Sequence, residues 1–220
     1  MPDSPDLVWT RLEAWLSAHL LPVVRRETPG ATLEGVLRPG LSEEAVQAAE
    51  TRFGFPFPAD FRASLLRHDG ALFWPGTEEF LTLEAAWEDT RMRRDVLAER
   101  PAQGEVAEPE RVADGVRQVW WDEGWWSLNS DGGGNGLVLD ARPPEGGTAG
   151  QVLDFDHETT DRPRRHASFT AYLEDTLARL ESGWYVASEW LTARNLLAPD
   201  HPDYTEDDYA TWRARQSQAE

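Results

Sequence analysis

The residue types able to do chemistry concentrate late in the chain. Asp154, Asp156, His157 and Glu158 stand close together. On an extended strand Asp154 and Asp156 project from one face and offer oxygen ligands, with His157 as a nitrogen donor. No spacing defines the remaining ligands of a metal, and such clusters at strand ends are usually solvated turns. Paired carboxylates for hydrolysis cannot be argued either, because 40 Asp and Glu make chance pairs inevitable. The run Asp131 to Gly136, D-G-G-G-N-G, lacks the Lys and the following helix of a phosphate loop. A calcium loop that starts at Asp131 would need Glu at its twelfth position, where Arg142 stands. His166 lies near Ser168, but no G-x-S-x-G elbow is present, and Ser168 suits a helix cap. The expectation is a chain with no catalytic residue, metal or cofactor.

A binding reading fares better. Trp120-Trp121-Asp122-Glu123-Gly124-Trp125-Trp126 sets four indoles around two carboxylates. Alternation cannot bury all four on one face. With Val119, Trp121 and Trp126 inward, Trp120 and Trp125 are expected to be partly exposed beside Asp122 and Glu123. Aromatic rings rimmed by carboxylates suit a basic protein through Arg stacking and charge pairing. The alternative is a second core layer, with Trp184, Trp190 and Trp212 of the C-terminal part covering those rings. The candidate partner-binding residues are Trp121, Asp122, Glu123 and Trp125, followed by Asp154 and Asp156.

Composition points the same way. The net charge is -19 in 220 residues, and every basic residue is Arg. From Glu105 to Asp161, 13 acids against 3 Arg leave -10. Such a field repels nucleic acid and anionic membrane and attracts basic proteins. The absence of Cys excludes disulfides and thiolate chemistry. The N-terminus has no signal-peptide pattern, and no apolar run reaches the ~20 residues that span a bilayer. A cytoplasmic protein is expected.

These candidates need elements to hold them. Trp9, Leu12, Leu16 and Leu20 predict an amphipathic helix over 6–20, with Pro22 just past its end. Ser42 caps a helix that Gly54 ends, and Pro58 opens another over 59–68, which Gly70 stops. Residues 80–83 suggest a short strand. A helix over 84–99 is supported by Trp87, Met92 and Val96, with Arg91, Arg93 and Arg94 exposed. Residues 101–114 read as a mobile loop. Strands follow at 116–121, 125–128, 137–139 and 151–156, joined by turns, with Gly134 or Gly136 at positive φ. Ser168 caps a helix over 169–181, ended by Gly183. Beyond lie a short helix over 188–197, a break at 199–202 and a last helix that starts at Thr205 and carries Tyr209 and Trp212.

The order of these features resembles a known family. A Trp-rich strand, D-G-G-G-N-G, an apolar strand ending at Asp140, P-P-E-G-G-x-x-G-Q-V-L-D-F-D-H-E and A-S-F opening a helix are similar to the SUKH superfamily, SMI/KNR type. Leu41-Ser42-Glu43-Glu44 to Gly54, Phe57-Pro58-Ala59-Asp60-Phe61 and Leu65 to Gly70 resemble its opening helices. The resemblance covers roughly residues 33–183. It implies an α+β fold, a bent antiparallel sheet with helices on one face. Residues 1–32 would add an N-terminal helix and connector, and 184–220 a helical extension. Bacterial members are often immunity proteins that neutralise a toxin, frequently a nuclease, and fungal members regulate cell-wall assembly. The resemblance therefore implies a non-catalytic binding protein with a cognate toxin as partner, or a regulator or scaffold with another.

Overall fold

The computed structural model describes residues 4–75, 79–99, 115–188, 197–199 and 208–216. The expected loop over 101–114, most of the helix over 188–197 including Trp190, and the start of the last helix at Thr205 lie outside the described residues.

Helix α1 (Pro5–Trp15) begins where the Ser4 side chain accepts from Leu7 N, and it buries Val8, Trp9 and Leu12. The chain does not break at Pro22. A π turn at Leu16–Leu20 carries it into α2 (Leu21–Glu27), with the Leu21 N–H on Leu16 O. Proline lacks an N–H, and one wide turn absorbs that loss where a regular helix would kink. Strand β1 (Leu37–Pro39) follows. Helix α3 (Glu43–Phe53) is capped by Ser42 and ends at Gly54, at φ 93°. Helix α4 (Ala59–Arg67) is one residue shorter than expected, because His68 opens strand β2 (His68–Ala71).

Strand β3 (Glu79–Phe80) leads into α5 (Leu83–Glu99). Here the expected face is overturned. Ala86, Thr90 and Arg93 are buried, whereas Met92 and Val96 are 50% and 40% exposed. The inward stripe follows 86, 90 and 93, a helical repeat that a buried arginine disguises.

The sheet region runs β4 (Trp125–Ser127), β5 (Asn129–Ser130), β6 (Gly136–Asp140), β7 (Gln151–Phe155) and β8 (Arg164–His166). Among the described residues every strand pair is antiparallel. One sheet has the order β4-β6-β7-β8 and another β1-β2-β3-β5. The chain crosses from the first to the second at Leu128, whose N–H bonds Leu137 O and whose O accepts from Leu81 N. That crossing bends the assembly. Residues 116–121 form no strand, contrary to expectation, and pass across the outer face as irregular chain. In the D-G-G-G-N-G turn Gly132 and Gly134 have positive φ, at 74° and 107°, and Gly136 does not.

Helix α6 (Phe169–Glu181) starts at Ser168, whose Oγ accepts from Ala171 N at 3.1 Å. Strand β9 (Tyr185–Ala187) pairs with β10 (Leu197–Pro199), so Leu197 begins a strand and does not end a helix. Helix α7 (Tyr209–Gln216) turns Tyr209 and Trp212 onto Trp184.

Two apolar clusters lie on opposite faces of β4-β6-β7. Trp126, Leu139 and Val152 point to the main core, built with α1, α3, α4 and α6. Trp125, Val138, Leu153 and Phe155 point the other way, under Val116, Trp120 and Trp121. The period of two sends neighbouring residues to opposite cores. The fold is α+β.

Candidate partner-binding groove

The four tryptophans of 120–126 are all buried, Trp120 at 9% exposure and Trp125 at 0%. The partial exposure expected of Trp120 and Trp125 is therefore corrected. The second core layer exists, but the C-terminal helix does not make it. Val116, Trp120 and Trp121 close it, and Arg93 and Arg162 seal it. Their guanidinium groups lie 4.0 and 4.5 Å from the Phe155 ring. Arg162 has 0% exposure, and its nitrogens donate to the carbonyls of Trp120, Thr159 and Asp161. Burial pulls its pKa down to about 10.

Of the six expected residues, Glu123 alone is exposed. Asp122 is a turn carboxylate: it accepts from Gly124 N at 2.8 Å and lies 3.5 and 3.7 Å from Arg117 and Arg142. Trp121 and Trp125 are core residues, 2% and 0% exposed. Asp154 and Asp156 are half-buried and line a groove of about 380 Å³.

That groove lies between the ends of β6 and β7, the edge strand β8 and helix α6. Asp154 and Asp156 come from β7 and its exit, two residues apart, as strand alternation dictates. Strand β8 contributes Arg165 and His166; α6 contributes Tyr172, Asp175 and Arg179, spaced to share one helix face. The D-G-G-G-N-G turn supplies Asp131 and Asn135. Arg165 pairs with Asp154 at 2.5 Å, and Arg179 with Asp175 at 2.8 Å. Asp131 is buried enough to resist ionisation, but N–H bonds from Gly133 and Asn135 outweigh this and hold its pKa below the ordinary value. Burial pushes the His166 imidazole down, aided by Arg179 and Arg165 and opposed by Asp175. The groove thus holds four carboxylates against two arginines and a histidine inclined to be neutral.

The sequence missed Tyr172, His166, Asp175 and Arg179 as groove residues. Tyr172 reads from the sequence as part of the packing stripe of a helix and His166 as a neighbour of the Ser168 cap, and only the placement of α6 against β8 brings these four to Asp154 and Asp156. Among the described residues no group of three or more His, Asp or Glu could hold a metal ion, and no helix is long and apolar enough to cross a membrane.

The described residues thus form an α+β domain with a polar, carboxylate-rich groove beside α6. The model of the SMI1 / KNR4 family (SUKH-1) matches residues 40–175, and the chain belongs to that family. It is 24% identical over 236 residues to the cell wall biosynthesis/cell cycle regulator smi1 of Schizosaccharomyces pombe. That match takes in 99% of this chain and 44% of the relative, so the chain spans less than half the length of the relative.

Proposed function

We propose that the protein is a non-catalytic, cytoplasmic protein-binding domain, an immunity protein that neutralises a cognate basic toxin, possibly a nuclease, by direct contact. The observation that carries this reading is the excess of carboxylate around the groove, in a chain of net charge -19. Basic clefts of nucleases complement such a surface, and complementarity acts chiefly on the rate of encounter. Asp154 and Asp156 stand in the groove, with Asp122 and Glu123 of the turn before β4 as second choice.

The test is co-expression with any toxin-like protein encoded by a neighbouring gene, followed by association kinetics on the purified pair. Growth rescue by the full chain is expected, with an on-rate that falls steeply as the Debye length shrinks to about 8 Å at physiological salt. Absence of both rescue and binding would reject the immunity reading. A second reading is favoured by one observation: the match to the fungal smi1 regulator runs over nearly the whole chain. On that reading the domain is a regulator or scaffold, and affinity capture returns a partner of the cell-wall machinery while rescue fails.

A further inference from the structure

We infer that the groove is built to seat one arginine residue of an extended protein segment, side chain and main chain together. This deepens the protein-binding reading and rests on it. Two kinds of unspent hydrogen-bonding capacity belong to residues that line the same cavity. The first is acidic. Asp154 and Asp175 are engaged by Arg165 and Arg179. Asp156 spends Oδ1 on Glu158 N at 2.8 Å, and its Oδ2 meets no donor among the described residues. The second kind is a donor. Tyr172 is 5% exposed, and its hydroxyl accepts from Trp74 Nε1 at 2.6 Å. The hydroxyl proton finds no acceptor among the described residues. Buried phenols rarely leave that donor unused, because an unmade bond costs the full desolvation of the group. His166 stands beside it, ring centroids 5.5 Å apart, and its imidazole makes no hydrogen bond among the described residues.

A cation and a neutral acceptor are therefore wanted in one cavity. An arginine within a peptide supplies both: a guanidinium for Asp156 and main-chain carbonyls for the Tyr172 hydroxyl and the His166 ring N–H. A free carboxylate or phosphate would enter a lining of Asp131, Asp154, Asp156 and Asp175 against Arg165 and Arg179, a net negative field. Arginine is preferred to lysine because its flat, weakly hydrated guanidinium carries a rigid fork of N–H donors suited to a carboxylate such as Asp156, which lines the groove. The wall beside α6 depends on the C-terminal helix, since the Arg179 guanidinium lies 4.4 Å from the Tyr209 ring. Tyr209 lies beyond the residues that match the family, so this wall is set by the chain's own extension.

The experiment is a titration of the isotope-labelled full chain with acetyl-Gly-Arg-Gly-amide, followed by amide and histidine-ring resonances. Peptides with Lys, norleucine or Glu in the central position are the controls. The expected result is a saturable shift centred on Asp156, His166 and Tyr172 for the arginine peptide, weaker for lysine and absent for the other two. Asp156→Asn keeps the acceptor for Glu158 N and should weaken arginine binding about tenfold, the loss of one charge-assisted bond. The inference is overturned if no resonance in the groove shifts, if norleucine acts like arginine, or if Asp156→Asn binds equally well. A negative titration with intact growth rescue moves the partner to another face. A positive titration without rescue keeps the groove and removes the immunity role.

Discussion

The two faces of β4-β6-β7 are packed by different means. The inner face meets helices whose apolar stripes interlock: Trp126 lies edge-on to Phe53 and Phe57, at 5.1 and 4.9 Å. Among the described residues no helix contributes an apolar side chain to the outer cluster. Irregular chain covers it with Trp120 and Trp121, and two arginines close on Phe155. A helical layer needs periodic sequence. An irregular layer needs only large rings and partners for its exposed backbone, which Arg162 supplies by capping three carbonyls. The outer core is therefore smaller and held by polar contacts, and the two faces should fail differently.

Trp126→Ala should have the largest effect, lowering stability by about 3–5 kcal/mol in chemical denaturation, because it empties the centre of the inner core. An outer-face change should cost less. Arg162→Ala leaves buried carbonyls without a donor and uncovers Phe155, for a loss of about 3 kcal/mol. A loss equal to that of Trp126→Ala would show that the faces form one cooperative unit of equal weight. Gly134→Val tests the link between them. At φ 107° a side chain is strained, and a Cβ there would sit 3.1 Å from the His157 ring. The Gly134 carbonyl also accepts from Arg93, so the strain passes to the outer core. A fall of about 1–2 kcal/mol is expected in the same assay.

Alkaline pH sharpens the comparison further. Burial raises the Tyr172 phenol pKa in the inner core, whereas the unfolded phenol ionises near 10. Its folded pKa is raised, so its contribution is intact below that value and declines as pH rises through the window above it. Burial lowers Arg162 on the outer face to about 10, and there the sign reverses: rising pH relieves the cost of a buried charge. Tyr172→Phe should therefore flatten the loss of stability above pH 10, about 10 being the phenol's ordinary value, and Arg162→Met should steepen it. Unchanged slopes in both variants would sink this assignment. The smallest effect is expected from Met92→Gln on the exposed side of α5, within about 0.5 kcal/mol.

Much of the inner face was legible. Ser42, Gly54, Ser168 and Gly183 mark helix ends because capping is a local property of backbone and side chain. The strands at 125–127, 136–140 and 151–155 follow from turn residues and alternation. The outer face was not legible. Residues 116–121 carry the composition of a strand and adopt none, and Arg93 reads as solvent-facing although it is 4% exposed. Whether a ring or a guanidinium is covered depends on chain that arrives from elsewhere, and no spacing encodes that arrival.

The same division holds for the groove. By itself the sequence determined the α+β class, the family resemblance, the strong negative charge and the pairing of Asp154 with Asp156 on one strand face. Each is either a sum over residues or a property of neighbours. Only the tertiary structure decided that the tryptophans of 120–126 lie inside, and that Tyr172, His166, Asp175 and Arg179 face those carboxylates across a cavity. The physical reason is that burial and cavity shape depend on how α6 lies on the edge of β8, a contact between surfaces that local sequence leaves open.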